Sequence, residues 1–516
     1  MVWWLESVTA AAPIALILVA MVFFRRSAAF AGILGLAMTA LITVVYFGFP
    51  ELAAFDRPVL TGLVGSFSEA GFTAATILWI IFGALCLHQL QLKTGAIDSL
   101  RDSLGTLSDD PRIIAIIIAW FFALFLEGAA GFGTPIALAA PFLVGFGFTP
   151  VQAVTIALIG HSVGVSFGAV GTPIIPQIAA TDYTGLQIAG ATADFHVLIG
   201  AVMLAIVLFL VTHTARAEGA ELGPIALWFV PAAAGFLIPM WLIARFVGPE
   251  LPTMGGAVIG ATIFIIALRL FHNGANPSHD DGDGDEDEDT MPLWRAASPY
   301  MVVIGLILLT RLVGPVQSAL QAVELSWELF GIFEGSFQPL YHPGTLLMVG
   351  FLFGGALQHA DASTLKAAAW KALKMLGPVT VALVAMLAIS RLMVHAAMID
   401  VLAEAAAVTA GGAWPAFAPV VGALGTFVTG SATASNILFT DFQLATAERL
   451  DFAQLRLIGA QGFGAAVGNI VCPHNIIAGC ATVGIAGREG EVLRRTLGAC
   501  AIYLVLGGTL SWLILA

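Results

Sequence analysis

Long apolar runs follow one another along the chain, separated by short polar interruptions. They lie near residues 8–24, 28–49, 71–91, 112–130, 151–170, 193–213, 225–247 and 252–271, and, after a strongly acidic stretch, near 297–313, 341–358, 376–394, 397–410, 415–430, 455–471, 476–487 and 493–515. A helix needs roughly 20 apolar residues to cross the hydrocarbon core. Most runs therefore read as spanning helices, and those at 397–410 and 476–487 as halves of broken helices. The runs lack the alternating polar residues of a transmembrane strand, which excludes a barrel. The pattern predicts an all-α polytopic membrane protein with ~12–14 transmembrane helices.

Composition agrees. Of the 516 residues 59% are hydrophobic and 10% charged, with mean hydropathy +0.96, against about 25% charged residues in a soluble domain. The net charge of −13 is unevenly spread, since Asp280 to Asp289 holds eight acids. A calcium loop starting at Asp281 would need glycine where Glu286 stands and glutamate where Pro292 stands. The stretch reads instead as a solvated, disordered cytoplasmic linker over 273–292, dividing a first membrane half, 1–272, from a second, 293–516. Cys86, Cys472, Cys480 and Cys500 lack metal-type spacing and read as small apolar residues. The N-terminus has no basic n-region or cleavage site, so the first span is expected to remain. Arg25, Arg26, Lys93, Arg101, Arg112, Lys366, Lys371, Lys374, Arg494 and Arg495 mark cytoplasmic loops and place both termini outside a cell membrane.

Glycine-rich interruptions recur in the two halves. Gly131-Phe132-Gly133-Thr134-Pro135 is followed by Gly160 to Gly168 and then Gly171-Thr172-Pro173; Gly430 to Asn436 is followed by Gly459 to Ala465 and then Gly468-Asn469 and Cys472-Pro473. Gly131 and Gly430 are separated by the same 299 residues as Gly160 and Gly459. Paired breaks at corresponding positions of two halves point to a carrier's midplane binding site built on pseudo-repeats, with broken helices and re-entrant hairpins. The bland reading is glycine used for tight helix packing.

Chemistry concentrates at these breaks. Glu127 ends an apolar run just before the first one. Opened helix ends there expose N–H groups able to hold an anion without arginine, with Gly131, Gly133 and Thr134 as lining. Glu127 reads as a proton carrier or as a charge fixed by the opened backbone. Ser431, Thr433, Ser435 and Asn436 supply hydroxyl and amide partners for a small hydroxy acid, or else small-residue helix contacts. His161, with Ser162 and Ser166 after it, opens the third break. Gln461, Asn469 and His474 belong to the fourth. Either histidine can titrate near neutrality or serve a structural role. Arg391, inside an apolar run, grips a carboxylate, snorkels, or pairs with Asp400 or Glu404. The candidate substrate set is thus Gly131, Gly133, Thr134, His161, Ser162, Ser166, Arg391, Ser431, Thr433, Ser435, Asn436, Gln461, Asn469 and His474, with Glu127 and His161 for proton coupling.

At these residues the chain resembles the L-lactate permease family. Phe125 to Pro141 is similar to that family's motif around a glutamate and a glycine-rich break. Lys93-Thr94-Gly95, Ser166 to Gly171, Gly248-Pro249-Glu250-Leu251-Pro252 and Ala481 to Gly484 also match in order, so the resemblance covers essentially the whole chain. It implies a proton symporter for L-lactate, D-lactate and glycolate, with inverted repeats of elevator type and no cofactor. Ala432 and Asn469 depart from the aspartate and lysine common in the family, and His161-Ser162-Val163-Gly164 from its Asn-Thr-Ala-Pro run. The alternatives are a sodium-coupled carrier of another organic anion and an anion channel. No metal, protease or hydrolase motif appears, which argues against an enzyme. The implied partners are a small substrate, protons and the bilayer, without nucleic acid.

Overall fold

A computed structural model of the chain describes residues 3–22, 24, 26–105, 108, 110–131, 133–217, 226–271 and 291–515. The acidic linker expected over 273–292 falls, apart from its last two residues, outside them, as does Phe132.

Among the described residues ten helices are long and apolar enough to cross a membrane, or up to twelve when two bent pairs each count as one span. This reaches only the lower edge of the expected number. Thr134–Gly145 and Pro343–Leu357 are apolar but short of a full crossing. The segment expected as a half at 476–487 is indeed one: Pro473–Thr482 continues Gln454–Val471 at a 40° bend. Met398–Ala410 runs through a 3-10 turn into Trp414–Thr429, and together they make one span of 32 residues.

The outer framework is set by two very long helices, Pro58–Lys93 with 36 residues and Ala362–His395 with 34. Each follows about 50 Å of helix at 1.5 Å per residue, well beyond the hydrocarbon thickness, the second with a bend of 43° between Gly377 and Val379. They pack on each other, and Pro343–Leu357 packs between Pro58–Lys93 and Leu293–Leu312. The inner body holds the short and interrupted helices of both halves, with Trp120, Phe167, Phe236, Phe463 and Tyr503 among its largest fully buried side chains. One departure from an all-helical fold is a two-stranded antiparallel hairpin, Leu325–Leu329 paired with Phe333–Phe337, whose Phe333 is fully buried against Gly65 and His395.

Both halves contain a helix–tip–helix unit and then a broken helix. In the first half Ala123–Ala129 and Thr134–Gly145 meet at a tip where Gly131 and Gly133 have φ of +55° and +80°. In the second, Trp414–Thr429 and Ala432–Arg449 meet at Gly430, φ +78°. Only glycine enters this left-handed region without a Cβ penalty. The first broken helix is Pro150–His161, then a 3-10 stretch Ser162–Phe167, then three consecutive left-handed residues, Ala169, Val170 and Gly171. The second is Gln454–Gly468, a 3-10 turn Asn469–Val471 and an extended Cys472 before Pro473–Thr482.

Candidate functional site

The four breaks converge. A Cβ on Gly131 would stand 3.1 Å from Ala169 Cβ, and one on Gly133 3.7 Å from Asn475 Oδ1. A Cβ on Gly430 would stand 3.4 Å from His474 Cβ and 3.8 Å from Cys472 Sγ. The turn 472–475 therefore touches both tips. Thr134 begins its helix buried, with its N–H on Gly131 O at 2.9 Å. Ser431 caps the second-half helix, accepting from Ala434 N at 3.3 Å, while the Thr429 hydroxyl donates to Gly425 O. His474 is exposed beside Gly430, and Asn475 is buried.

Glu127 is buried on the last turn before the first tip, its Oε1 so close to Gly168 that a Cβ there would overlap it. Its Oε2 lies 4.0 Å from His161 Nε2. His161 Nδ1 is 2.6 Å from Ala157 O, and a carbonyl only accepts, so Nδ1 carries the proton. Nε2 then faces both Glu127 and the side-chain amide of Asn469, 3.3 Å away at Oδ1. Neutral, Nε2 accepts from the amide NH2; protonated, it donates to the amide oxygen. A carboxylate, an imidazole and an amide that can serve either state thus meet where the two halves touch.

A second polar system is uncharged. Ser435 donates to Gly422 O at 2.7 Å, and Asn436 Nδ2 crosses to Pro173 O in the first half at 2.8 Å. Gln461 Nε2 reaches Ser435 Oγ and Asn436 Oδ1 at 3.3 and 3.4 Å, and Gln443 links Gln461 to Trp414. Thr433 is buried on the same helix turn. Ser162 is held locally, donating to Ile159 O at 2.7 Å. Ser166 donates to Gly462 O at 3.1 Å, so it accepts from His196 Nε2 at 2.8 Å, and His196 Nδ1 accepts from Tyr503 OH at 2.8 Å.

The sequence therefore placed Glu127, His161 and Asn469 in separate segments that the fold joins, and Gly131, Gly133, Gly430 and His474 around one turn. Arg391 stands apart from the breaks. Its Nη2 is 2.9 Å from Asp441 Oδ2, which also accepts from Ser390. The partner is neither Asp400 nor Glu404; Glu404 pairs with Arg449. Sequence reasoning passed over Asn475, Gln443, Asp441 and the His196–Tyr503 pair. A histidine within the apolar run 185–199 was a readable signal for the last.

The family model described as L-lactate permease matches residues 6–516. An L-lactate permease from Streptococcus iniae is 28% identical, over 86% of this chain and 92% of its own length. The glycolate permease GlcA of Escherichia coli is also 28% identical, over 99% of this chain and 95% of its own. MtrF of Neisseria gonorrhoeae superposes with TM-score 0.49 at 15% identity, over 95% of each chain.

Proposed function

The chain belongs to the L-lactate permease family, a family of membrane transporters and not of enzymes, and from that premise we propose that it is a proton symporter for L-lactate and related small 2-hydroxy monocarboxylates, D-lactate and glycolate among them. The contact of Glu127 with His161 and Asn469 carries the reading. A carboxylate at membrane depth is costly unless neutralised, and a proton does so without a second charged residue. The two halves are read as pseudo-repeats presenting their tips to one substrate, in a cell membrane with both termini outside. The opened helix ends beginning at Thr134 and Ala432 hold the carboxylate. Thr134, Ser431 and Thr433 address the 2-hydroxyl, and Gly131, Gly133 and His474 line the same space. Ser162, Ser166, Ser435, Asn436 and Gln461 fix the surrounding backbone. Arg391 is already engaged by Asp441, so the second charge of a dicarboxylate would go unpaired.

The test is counterflow and uptake of labelled L-lactate in proteoliposomes, with and without imposed pH and sodium gradients. Uptake should follow the pH gradient and ignore sodium, unlabelled glycolate should compete, and propionate and succinate should compete poorly, because a site built to bond a hydroxyl rejects an analogue lacking it. Strong sodium stimulation together with indifference to a protonophore would establish the sodium-coupled alternative. Flux without saturable counterflow would establish a channel.

A further inference from the structure

The segment Gly248-Pro249-Glu250-Leu251-Pro252 lies outside all four breaks, yet it and the helix it starts touch the first half's broken helix at two places and the helix bearing Glu127 at a third. Pro249 O and Glu250 N lie 2.5 and 3.2 Å from where a Cβ on Gly171 would be. The Thr253 hydroxyl donates to Gly164 O at 2.7 Å. Met254 N sits against Gly128, next to Glu127, so closely that no side chain fits between them. Residues 248–254 therefore brace both ends of the unwound stretch and the helix bearing Glu127.

The brace is held from the far side by Arg311. Its Nε and Nη2 both donate to Glu250 Oε1, at 3.0 and 2.7 Å; Nη2 also reaches Tyr341 O at 3.2 Å, and the guanidinium lies 3.6 Å over the Tyr341 ring. Both charged side chains are buried, at 5% and 8% exposure. Arg311 ends helix Leu293–Leu312, which packs on Pro343–Leu357 and so joins the framework of long helices. The pairing is not arranged for greatest strength. Two N–H groups share one oxygen, and Arg311 Nη1 and Glu250 Oε2 are buried without hydrogen-bond partners, where a fork-to-fork arrangement would satisfy both. Buried ion pairs add little net stability, and their best-attested use is to fix register.

We propose that Arg311, Glu250 and Tyr341 form a clamp of positioning residues that sets the unwound segment 168–171 relative to the outer helices, and with it the seat of Glu127. The transport readout below rests on the function proposed above; the labelling readout does not. Cysteine introduced as Val170→Cys reports on the unwound segment, the four native cysteines all being buried. In the full-length protein Arg311→Lys keeps the charge but loses the planar stack and the paired donation. It should raise the maleimide labelling rate at position 170 about tenfold as the segment opens more often. It should lower the Vmax of lactate counterflow about tenfold with KM within about twofold, since substrate contacts stay in place while their alignment is lost. Tyr341→Phe, which keeps ring and carbonyl, should match the parent in both. Unchanged labelling in Arg311→Lys overturns the clamp, as does a tenfold rise in KM at unchanged Vmax, which would make Arg311 a substrate contact. If Arg311→Lys fails to fold, Glu250→Gln replaces it with the same expected and overturning results. If the parent moves no lactate, the functional reading fails and the labelling result still decides the clamp.

Discussion

The two hairpin tips use the same backbone device for opposite chemistry. Each turns on a left-handed glycine, Gly133 or Gly430, followed directly by a helix. Beside the first tip lies Glu127, buried against Gly168 and within reach of His161. Beside the second, among the described residues, lie the exposed His474 and a buried network of hydroxyls and amides that bond one another from Trp414 through Gln443 and Gln461 to Ser435 and Asn436. A neutral network can satisfy itself, whereas a buried carboxylate needs a proton or a counter-charge. The difference suggests a division of labour, with proton handling in the first half and recognition of the substrate hydroxyl in the second.

The sharpest way to break that division is Glu127→Gln, which should leave a folded protein whose pH-gradient-driven uptake is at background; full proton-driven uptake would refute the assignment. Next comes Gly168→Ala, whose methyl overlaps Glu127 Oε1. Overpacking should cost about 1–3 kcal/mol of stability, read by thermal melting, and cut proton-driven uptake severely. A variant that melts and transports like the parent would show that the close approach is incidental. Ser431→Ala, at the neutral tip, removes a helix cap worth about 0.5–2 kcal/mol. It should raise KM for lactate severalfold and narrow its advantage over propionate, with the pH profile unmoved. If the pH profile shifts and the selectivity stays, the two halves are not divided as proposed. Asp361→Ala should do least. Outside the spans, hydrogen bonds from Thr364 and Ser363 hold the Asp361 carboxyl down at about 2. A depressed carboxylate contributes stability above its unfolded value, near 3.8, and that contribution is lost as pH falls toward 2. No change in transport between about pH 5 and 8 is expected, since the group is ionised throughout, and a change measured there would place the start of Ala362–His395 in the coupling path.

Much of this fold was legible because membrane burial writes itself as uninterrupted apolar runs, and glycine-rich interruptions mark where those runs cannot stay helical. Glu127 and His161 were legible because ionisable groups are rare in such runs. Their meeting with Asn469 was not, because apolar spacing orders residues along a helix but says nothing of which helices touch. Arg391 shows the same limit. Asp400 and Glu404 follow it closely in sequence, but the left-handed Ala397 turns the chain between them, and the true partner comes from the arm behind the second tip. Among the described residues the spans meet the lower edge of the expected count, because the chain joins some short apolar runs as interrupted pieces. The hairpin at 325–337 did leave a trace: Leu325, Trp327 and Leu329 alternate with Ser326 and Glu328, the period of a strand.

Ala169 and Val170 carry φ of +42° and +55°, a region hostile to side chains with a Cβ and most hostile to a β-branched one. Each such residue stores about 1–3 kcal/mol, so the pair holds roughly 2–6 kcal/mol that rewinding would release. Moving a two-state element from 1:99 to 99:1 takes about 5.5 kcal/mol. The unwound stretch is therefore a preloaded spring of about the right size for a switch. Whatever loosens the Pro249–Gly171 contact has only to release that stretch and not to drive it.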